Sequence, residues 1–297
     1  MKAAGLFFAI IVAIMVSAAA FIWSTLPNEK EIKGCIITTM YKVDLCPTSK
    51  NYVPLKQISS YLQRTIIMTE DGNFYKHHGF EWGTIEKNFR QGWETGVYKR
   101  GGSTITQQLA KNMFLNADRT FFRKALEAII TDRIEKTLTK KEILEKYLNV
   151  VEFGKNIYGI KQAAQFYFKK SPAELDVVES AFMAMVLPSP IKYSQSYYKK
   201  ELTGFARKRM SQIVQNLYQF HSIDQAEYEV AMERIQSFLS PAPPPMDEIP
   251  GLKGMSAEQV NSLSNDEIDR LEQEIRDESG DLDSSELDIK PEHNLDN

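Results

Sequence analysis

The residues best suited to chemistry begin with an acidic pair, Glu70 and Asp71, which ends the apolar segment RTIIMTE and opens the aromatic loop GNFYKHHG. A carboxylate that leaves a buried helix lies at the edge of a cleft, where desolvation raises its pKa toward the value that a general base needs. Taken alone, an acidic pair before a glycine is more often a helix-ending turn than a catalytic site. The adjacent His77 and His78 are not assigned to a metal.

The segment GGSTITQQLAKN, residues 101–112, predicts a polar helix face. With Ser103 as the expected N-cap, positions 103, 107 and 111 share one face and positions 104, 108 and 112 share the next. Ser, Thr, Gln and Asn suit hydrogen bonding to a sugar, whereas a solvated face, the alternative, usually carries Glu and Lys. Two glycines before a helix N-terminus also predict an anion site.

Arg119, Arg123 and Glu127 follow at spacings of four residues, with Lys124 beside them. On one helix they would form a stripe, and ordinary helical ion pairing explains such a stripe in most proteins. Placed opposite Lys111, the same stripe would form a cationic pocket for a diphosphate.

Charge and hydropathy divide the chain of 297 residues into three kinds of sequence. Residues 241–297 carry sixteen acidic against four basic residues, and residues 1–240 carry 32 basic against 23 acidic residues. The basic part indicates an anionic partner, whether nucleic acid, anionic lipid or a phosphorylated substrate. Residues 3–23 have no charge and are long enough to cross a bilayer, which favours a lipid-associated partner.

We expect residues 1–27 to be an uncleaved transmembrane anchor; a signal peptide cleaved near residues 17–20 is the alternative. The charges that flank this span orient it only weakly, and we expect an exported body. Cys35 and Cys46 stand apart from any further Cys, which argues against a metal site. Export would permit a disulfide between them, and two free thiols are the alternative.

The remaining sequence predicts a mainly α-helical fold. Helical spacing dominates residues 58–239, and Thr139 with Glu142, and Ser171 with Glu174, have the spacing of capping boxes. We predict a linker at 28–56 with one short strand in CIITTMYKV, a catalytic domain at 57–240, and an acidic, disordered tail at 241–297 beginning at PAPPP.

Five segments together resemble the signature motifs of the peptidoglycan glycosyltransferases of family 51, over about residues 58–220. They are EDGNFYKHHG, GGSTITQQLAKN, RKALEA, YLNVVEFGKNIYGIKQAA and LPSPIKY. The family occurs in class A penicillin-binding proteins and in monofunctional enzymes. The chain lacks the complete set of SxxK, SxN and KTG motifs that a transpeptidase needs, and so is similar to the monofunctional kind.

The resemblance implies a lysozyme-like helical fold with a membrane-embedded lobe. It also implies polymerisation of lipid II, with inversion at the anomeric carbon and release of undecaprenyl diphosphate. The reaction would take place on the outer face of the cytoplasmic membrane and would serve cell-wall biogenesis and cell shape. Glu70 would be the general base, and Glu127 would act near the departing diphosphate, directly or through a divalent cation such as Mg or Mn. The implied substrate-binding residues are Asp71, Phe74, Ser103, Thr104, Gln107, Gln108, Lys111, Asn112, Arg119, Arg123, Lys124, Asn149, Glu152 and Tyr158.

Two positions depart from the family pattern. Glu81 stands where the family commonly has Asp, and Asn156 replaces a glycine; Asn tolerates positive φ, so we expect the turn to survive. Two alternatives remain: a catalytically silent scaffold that binds lipid II or glycan and recruits other cell-wall synthesis proteins, and a lytic enzyme that cleaves glycan. The three cations beside the carboxylates disfavour the lytic enzyme.

Overall fold

The computed structural model describes residues 11–13, 15–17, 20, 23–24, 26–96, 102–118 and 120–240. Most of the predicted anchor and the whole predicted tail therefore lie outside the described residues. Among the described residues, no helix combines the length and the apolar character that crossing a bilayer requires. The chain divides into two units between Ser240 and Pro241, and the first unit is described below.

The segment at 26–57 is tied to the rest of the fold. Helix α1 (Glu29–Lys33) precedes a hairpin of two short antiparallel strands, β1 (Ile36–Ile37) and β2 (Asp44–Leu45), where the sequence predicted one strand. A disulfide joins Cys35 to Cys46, so the free-thiol alternative is excluded. Ile32 and Leu45 belong to the main hydrophobic core, which makes this segment more than a linker.

Helices make up most of the fold, as predicted, and each predicted helical segment is present. They are α2 (Ser60–Glu70), α3 (Trp82–Thr95), α4 (Ile105–Phe114), α5 (Phe121–Thr137), α6 (Lys140–Val150), α7 (Ile160–Phe168), α8 (Val177–Val186), α9 (Pro190–Tyr193), α10 (Gln195–Tyr198), α11 (Gly204–Gln219) and α12 (Gln225–Ser237). Single turns of 3-10 helix lie at Leu55–Gln57 and Pro172–Glu174.

Helix α8 is central to the core, and every one of its residues is buried. Its sequence, VVESAFMAMV, is apolar nearly all round, as a helix enclosed by others must be. Helices α2, α11 and α12 pack against it, while α4 packs against α5 and α6. These contacts bring together the C-terminal end of α2, the polar helix α4 and the charged helix α5.

Helix starts follow from local hydrogen bonds. The predicted capping box of Thr139 and Glu142 is confirmed at the start of α6. The predicted box of Ser171 and Glu174 is also formed, but it opens only the 3-10 turn. Helix α8 starts instead at Asp176, whose carboxylate accepts the first free backbone N–H groups.

A tight hairpin joins α6 to α7. Strands β3 (Glu152–Gly154) and β4 (Ile157–Tyr158) pair antiparallel, and Asn156 in the turn has a φ of 60°. The prediction that Asn would preserve this turn is therefore confirmed. Gly159 follows with a φ of 75°, and a Cβ there would lie 2.5 Å from the carbonyl oxygen of Asn149, so only glycine fits.

Candidate active site

Glu70 is the last residue of α2 and is partly buried. Its Oε2 accepts a hydrogen bond from Nε2 of Gln108, on α4, at 2.8 Å. Burial raises the pKa of Glu70; the Gln108 hydrogen bond and the charges of Arg209 and Lys111 counteract that rise in part, and the charge of Asp71 adds to it. The pKa of this carboxyl group therefore lies above its ordinary value, in the direction that suits a general base.

Asp71 faces into the protein, although the sequence predicted that it contacts substrate. It is 4% exposed, its Oδ2 accepts from the backbone N–H of Ile105 at 3.0 Å, and its Oδ1 lies 2.7 Å from Nε2 of His77. The N–H of Gly79 donates to Nδ1 of His77, so Nε2 carries the hydrogen that reaches Asp71. The N-terminus of α4, predicted to bind an anion, thus receives a carboxylate from the protein itself.

Replacing Asp71 by alanine is expected to lower the free energy of unfolding by about 1–3 kcal/mol, because it leaves the N–H of Ile105 and the ring of His77 without their acceptor. Denaturant unfolding measures this change. The matched control is Asp132→Ala, which removes an exposed carboxylate whose ion-pair partner among the described residues is Lys136, and it should cost less than about 0.5 kcal/mol. Equal stability losses in the two variants would contradict the anchoring role of Asp71.

The N-cap of α4 is Thr104, not Ser103 as predicted. Oγ1 of Thr104 accepts from the N–H of Gln107 at 3.2 Å, and Oε1 of Gln107 accepts from the N–H of Thr104 at 3.0 Å. Oγ1 also donates to the carbonyl of Gly79. A reciprocal pair of this kind requires Gln or Glu three residues after the cap, and Ser103 has Thr106 there. Thr104 and Gln107 are buried in this box, so they position α4 and Ser103 stays exposed.

Glu127 is a buried carboxylate, 3% exposed, on α5. Its Oε2 accepts from Nη1 of Arg123 at 2.8 Å, and its Oε1 pairs with Nζ of Lys124. Lys124 also reaches Oγ of Ser103, across at the start of α4, at 3.4 Å. Nε of Arg123 is buried and has no hydrogen-bond partner among the described residues. Arg123 and Lys124 thus share one carboxylate, Glu127, and the three residues together carry a net positive charge.

The helix that carries Arg123 and Glu127 begins too late to include position 119, so the predicted three-residue stripe is not complete on α5. Thr120 is the N-cap of α5 and accepts from the N–H of Arg123, so the helix begins at Phe121 and position 119 precedes it. Arg119 itself lies outside the described residues. Arg123 and Lys124 are the predicted diphosphate-binding cations that the described part of this helix supplies.

Lys111 lies on α4, one helical turn after Gln108, and its charge interacts with both carboxylates. Burial lowers the pKa of Lys111, the charges of Glu127 and Glu152 raise it, and those of Arg123 and Lys124 lower it further. Its Nζ forms no ion pair within 4 Å among residues 26–96, 102–118 and 120–240. Keeping a desolvated ammonium group charged without a partner costs free energy, and binding an anionic ligand offsets that cost.

Lys111 links Glu70 and Glu127 electrostatically. Its charge acts on the pKa of Glu70, and the charge of Glu127 acts on the pKa of Lys111. Electrostatic effects of this kind weaken with distance. The three charged groups, on α2, α4 and α5, therefore lie near one another.

Glu152 lies near enough to Lys111 for each charge to act on the pKa of the other, and Tyr158 is paired with Glu152 in the β3–β4 hairpin. Burial raises the pKa of Glu152, and the neighbouring Tyr41 hydroxyl and the charge of Lys111 lower it in part. Burial also raises the pKa of Tyr41 to about 12, so its hydroxyl stays protonated. The rings of Tyr41 and Tyr158 stack, with centroids 4.6 Å apart.

Three other predicted site residues are buried away from solvent. Phe74 is 0% exposed and lies in the core. Asn149 accepts from the N–H of Val53 at 2.7 Å and donates to its carbonyl at 2.9 Å, so it joins two parts of the backbone. Asn112 is 2% exposed, and its Oδ1 has no partner among the described residues. These positions fit a role in holding the site rather than in contacting substrate.

Sequence reasoning missed Arg209, Tyr41 and Tyr147. Arg209 lies on α11 and acts on Glu70, and Tyr147 lies on α6 and donates to Gln108. Both residues stand on helices that were predicted from their apolar spacing. Only the packing of α11 on α2, and of α6 on α4, brings them to the site.

The described residues include no group of three or more His, Cys, Asp and Glu that could hold a metal ion. Arg123 and Lys124 each pair with one oxygen of Glu127 and so already balance its charge. No step is assigned to a metal.

A family model described as Transglycosylase matches residues 37–218, more than half of the chain. The chain belongs to the transglycosylase family. The matched span contains both site carboxylates and the described site cations, and it begins ahead of the predicted domain, at the β1–β2 hairpin. The mainly helical fold is consistent with that membership.

Several curated members of the family resemble this chain, all bearing the name biosynthetic peptidoglycan transglycosylase. The protein from Azoarcus sp. strain BH72 is 45% identical over 146 residues, which are 49% of this chain and 63% of that protein. The protein from Herminiimonas arsenicoxydans is 46% identical over 142 residues, 48% and 62% of the two chains. The protein from Dechloromonas aromatica strain RCB is 40% identical over 167 residues, 56% and 71%. The match to the first two thus spans less than two thirds of their length.

Both departures from the transglycosylase pattern lie outside the carboxylate and cation pairs. Glu81 precedes α3 and accepts a hydrogen bond from Nδ2 of Asn73, which lowers its pKa. Asn156 keeps the β3–β4 turn with its positive φ. Neither residue contacts Glu70, Lys111 or Glu127 through a hydrogen bond among the described residues.

Proposed function

We propose that this chain is a peptidoglycan glycosyltransferase that polymerises lipid II into glycan strands. The observation that carries this proposal is that a buried carboxyl with a raised pKa, Glu70, lies near Lys111, whose charge also responds to Glu127. Membership of the transglycosylase family and the names of its relatives support the same activity. Lipid II and the growing strand are the substrates, and undecaprenyl diphosphate is the leaving product.

Glu70 acts as the general base. It takes the proton from the acceptor's 4-hydroxyl as that oxygen attacks the anomeric carbon of the donor, and the bond to the diphosphate breaks on the opposite face. In-line attack inverts the anomeric centre. The raised pKa of Glu70 matches this task, since a carboxylate that holds its proton more tightly is a stronger base.

Lys111, Arg123 and Lys124 stabilise the negative charge that develops on the departing diphosphate. Arg123 and Lys111 offer donors that no described residue occupies, Nε and Nζ respectively. Glu127 holds Arg123 and Lys124 in place as a positioning carboxylate. Because a diphosphate leaves readily, no proton-donating acid is required. Tyr158, Glu152, Ser103 and Gln108 shape the sugar subsites.

The enzyme works at a membrane surface. Trp82 and Trp93 on α3 are 71% and 78% exposed, and Phe121 at the start of α5 is 98% exposed. Exposing large apolar side chains to water is unfavourable, whereas a bilayer interface accepts them. These residues support a membrane-embedded lobe, with the catalytic domain on the periplasmic side and the charge-free residues 3–23 as the anchor.

The alternative function is a silent scaffold that binds lipid II. A scaffold needs the cations but no proton acceptor, and the buried carboxyl of Glu70 disfavours it. A lytic enzyme needs an acid but no diphosphate pocket. Lys111, which has no ion-pair partner among the described residues, therefore disfavours the lytic function.

Incubation of the purified full-length protein with fluorescent lipid II in detergent or vesicles tests the proposal. Separation of the products by electrophoresis should reveal glycan polymers that muramidase digests. Binding of lipid II without polymer would identify the scaffold, and shortening of added glycan strands without polymer would identify the lytic enzyme.

A further inference from the structure

Tyr147 is the first residue of a hydrogen-bonded relay that passes through Gln108 and ends at Glu70. It lies within α6, is 0% exposed, and its hydroxyl donates to Oε1 of Gln108 at 3.1 Å. Nε2 of the same Gln108 amide donates to Oε2 of Glu70 at 2.8 Å. Side chains from α6, α4 and α2 are thus joined in one line.

The relay has a fixed direction. Burial raises the pKa of Tyr147 well above its ordinary value, so the hydroxyl keeps its proton and remains a donor. A phenol carries one proton, and the amide oxygen of Gln108 is the acceptor that takes it. With its oxygen held by Tyr147, the amide must turn its N–H group toward Glu70.

We propose that Tyr147 is a positioning residue that acts through the Gln108 amide to keep Glu70 available as a proton acceptor. The inference rests on the proposed function of Glu70 as the base. The amide N–H holds one carboxylate oxygen and leaves the other free for the acceptor hydroxyl. Without the phenol, the amide can rotate and present its oxygen to Glu70, and an amide oxygen favours the protonated carboxyl.

Other charged or titratable groups face the same carboxyl and remain in place when the phenol is removed. Asp71 is its neighbour in sequence, Lys111 faces it from α4 and Arg209 from α11. Tyr41 and Asp71 are the further titratable groups that face Tyr147. A Tyr147→Phe variant keeps all of these charges, so a changed titration of Glu70 reports the amide alone.

Carboxyl ¹³C NMR on protein labelled at Glu tests the inference, with Glu70→Gln used to assign the signal. The titration midpoint of Glu70 is expected to move to higher pH in Tyr147→Phe. The matched control is Tyr197→Phe, which also loses a phenolic hydrogen bond of 3.1 Å, to the carbonyl of Phe166, away from the site. An unchanged midpoint in Tyr147→Phe, or an equal shift in the control, would overturn the inference.

Gln108→Leu, alone and combined with Tyr147→Phe, tests whether the two residues act through one another. Loss of the amide donor should also raise the midpoint, and adding Tyr147→Phe to Gln108→Leu should produce no further change. A further shift of similar size in the double variant would show that Tyr147 does not act through Gln108, and would overturn the relay.

Polymerisation kinetics give a third readout. The value of kcat/KM for Tyr147→Phe should fall roughly five- to tenfold more on the acid limb of the pH profile than on its plateau. A uniform loss at every pH would indicate a merely structural effect. If the Glu70 midpoint shifts in Tyr147→Phe but the wild-type protein makes no polymer, the relay stands and the proposed function fails. If the wild-type protein makes polymer and the midpoint does not move in the variant, the relay alone fails.

Discussion

Glu70→Gln is expected to lower kcat for glycan polymerisation by about 10²–10⁴-fold, the range lost with a general base. Glutamine keeps the size of the side chain and can still pair with Gln108, so substrate binding should change little. The rate of polymer formation from labelled lipid II, measured beside Glu233→Gln, gives the comparison. Glu233 is an exposed carboxylate on α12, and its replacement should leave the rate unchanged.

The stability of Glu70→Gln separates lost chemistry from lost folding. Burial raises the pKa of Glu70, so the folded protein binds this proton more tightly than the unfolded chain. The protonated Glu70 carboxyl therefore contributes to stability at pH values below its pKa in the unfolded chain. This contribution is lost as the pH rises through its pKa in the folded protein. At pH 7 the glutamine variant should therefore be at least as stable as the wild type. A stable variant that polymerises at the wild-type rate would exclude Glu70 as the base.

The same raised pKa predicts the pH dependence of the wild-type reaction. Only the ionised form of Glu70 can accept a proton, so kcat/KM should fall as the pH drops through a value above the ordinary pKa of Glu. A profile that stays flat down to the ordinary range would contradict the desolvated environment of this carboxyl.

Lys111→Met is expected to lower kcat/KM by about 10²–10³-fold and to raise KM for the donor, because the leaving diphosphate loses its central cation. Burial lowers the pKa of Lys111, so folding with the charged form is penalised at pH 7. Removing the charge should leave the melting temperature unchanged or higher. Loss of activity with retained or increased stability is typical of a residue kept for binding an anion.

Lys136→Met is the control for this second variant. Lys136 is 73% exposed and pairs with Asp132 on the surface of α5, so neither activity nor stability should change appreciably. An unchanged KM in Lys111→Met would count against a role in binding the donor, whatever happened to kcat.

The helices could be predicted from sequence because apolar spacing and capping pairs are local signals. Thr139 with Glu142 was identified in this way, and it caps α6 as expected. The error at Ser103 has a local cause too. Both Ser103 and Thr104 are good N-cap residues, and only the reach of Gln107 back to Thr104 decides between them.

The roles of individual site residues were harder to predict because they depend on packing. Asp71 sits beside Glu70 in the same motif, yet its oxygens bind the N-terminus of α4 and His77. Asn149 belongs to another motif, and it holds the backbone of Val53. A motif identifies residues that the site needs, but it does not distinguish those that contact substrate from those that hold the scaffold.

Arg209 and Tyr147 illustrate the opposite limit. Arg209 ends the basic run Arg207-Lys208-Arg209 and Tyr147 opens a quoted motif, but neither pattern indicates a role beside Glu70. Each reaches the site only because its helix packs against α2 or α4. The sequence supplied Glu70, Lys111 and Arg123 as candidate site residues, whereas the groups that act on the pKa of Glu70 or on its partner became apparent only from the packing of helices distant along the chain.

A crystal structure of this protein with a non-reactive lipid-linked diphosphate analogue and a glycan acceptor would test the central claim most directly. The claim predicts phosphate oxygens within about 3 Å of Nζ of Lys111 and of the guanidinium of Arg123. It also predicts the acceptor hydroxyl in hydrogen-bond contact with the free oxygen of Glu70. A diphosphate bound on a surface away from Lys111, or an acceptor that does not approach Glu70, would contradict it.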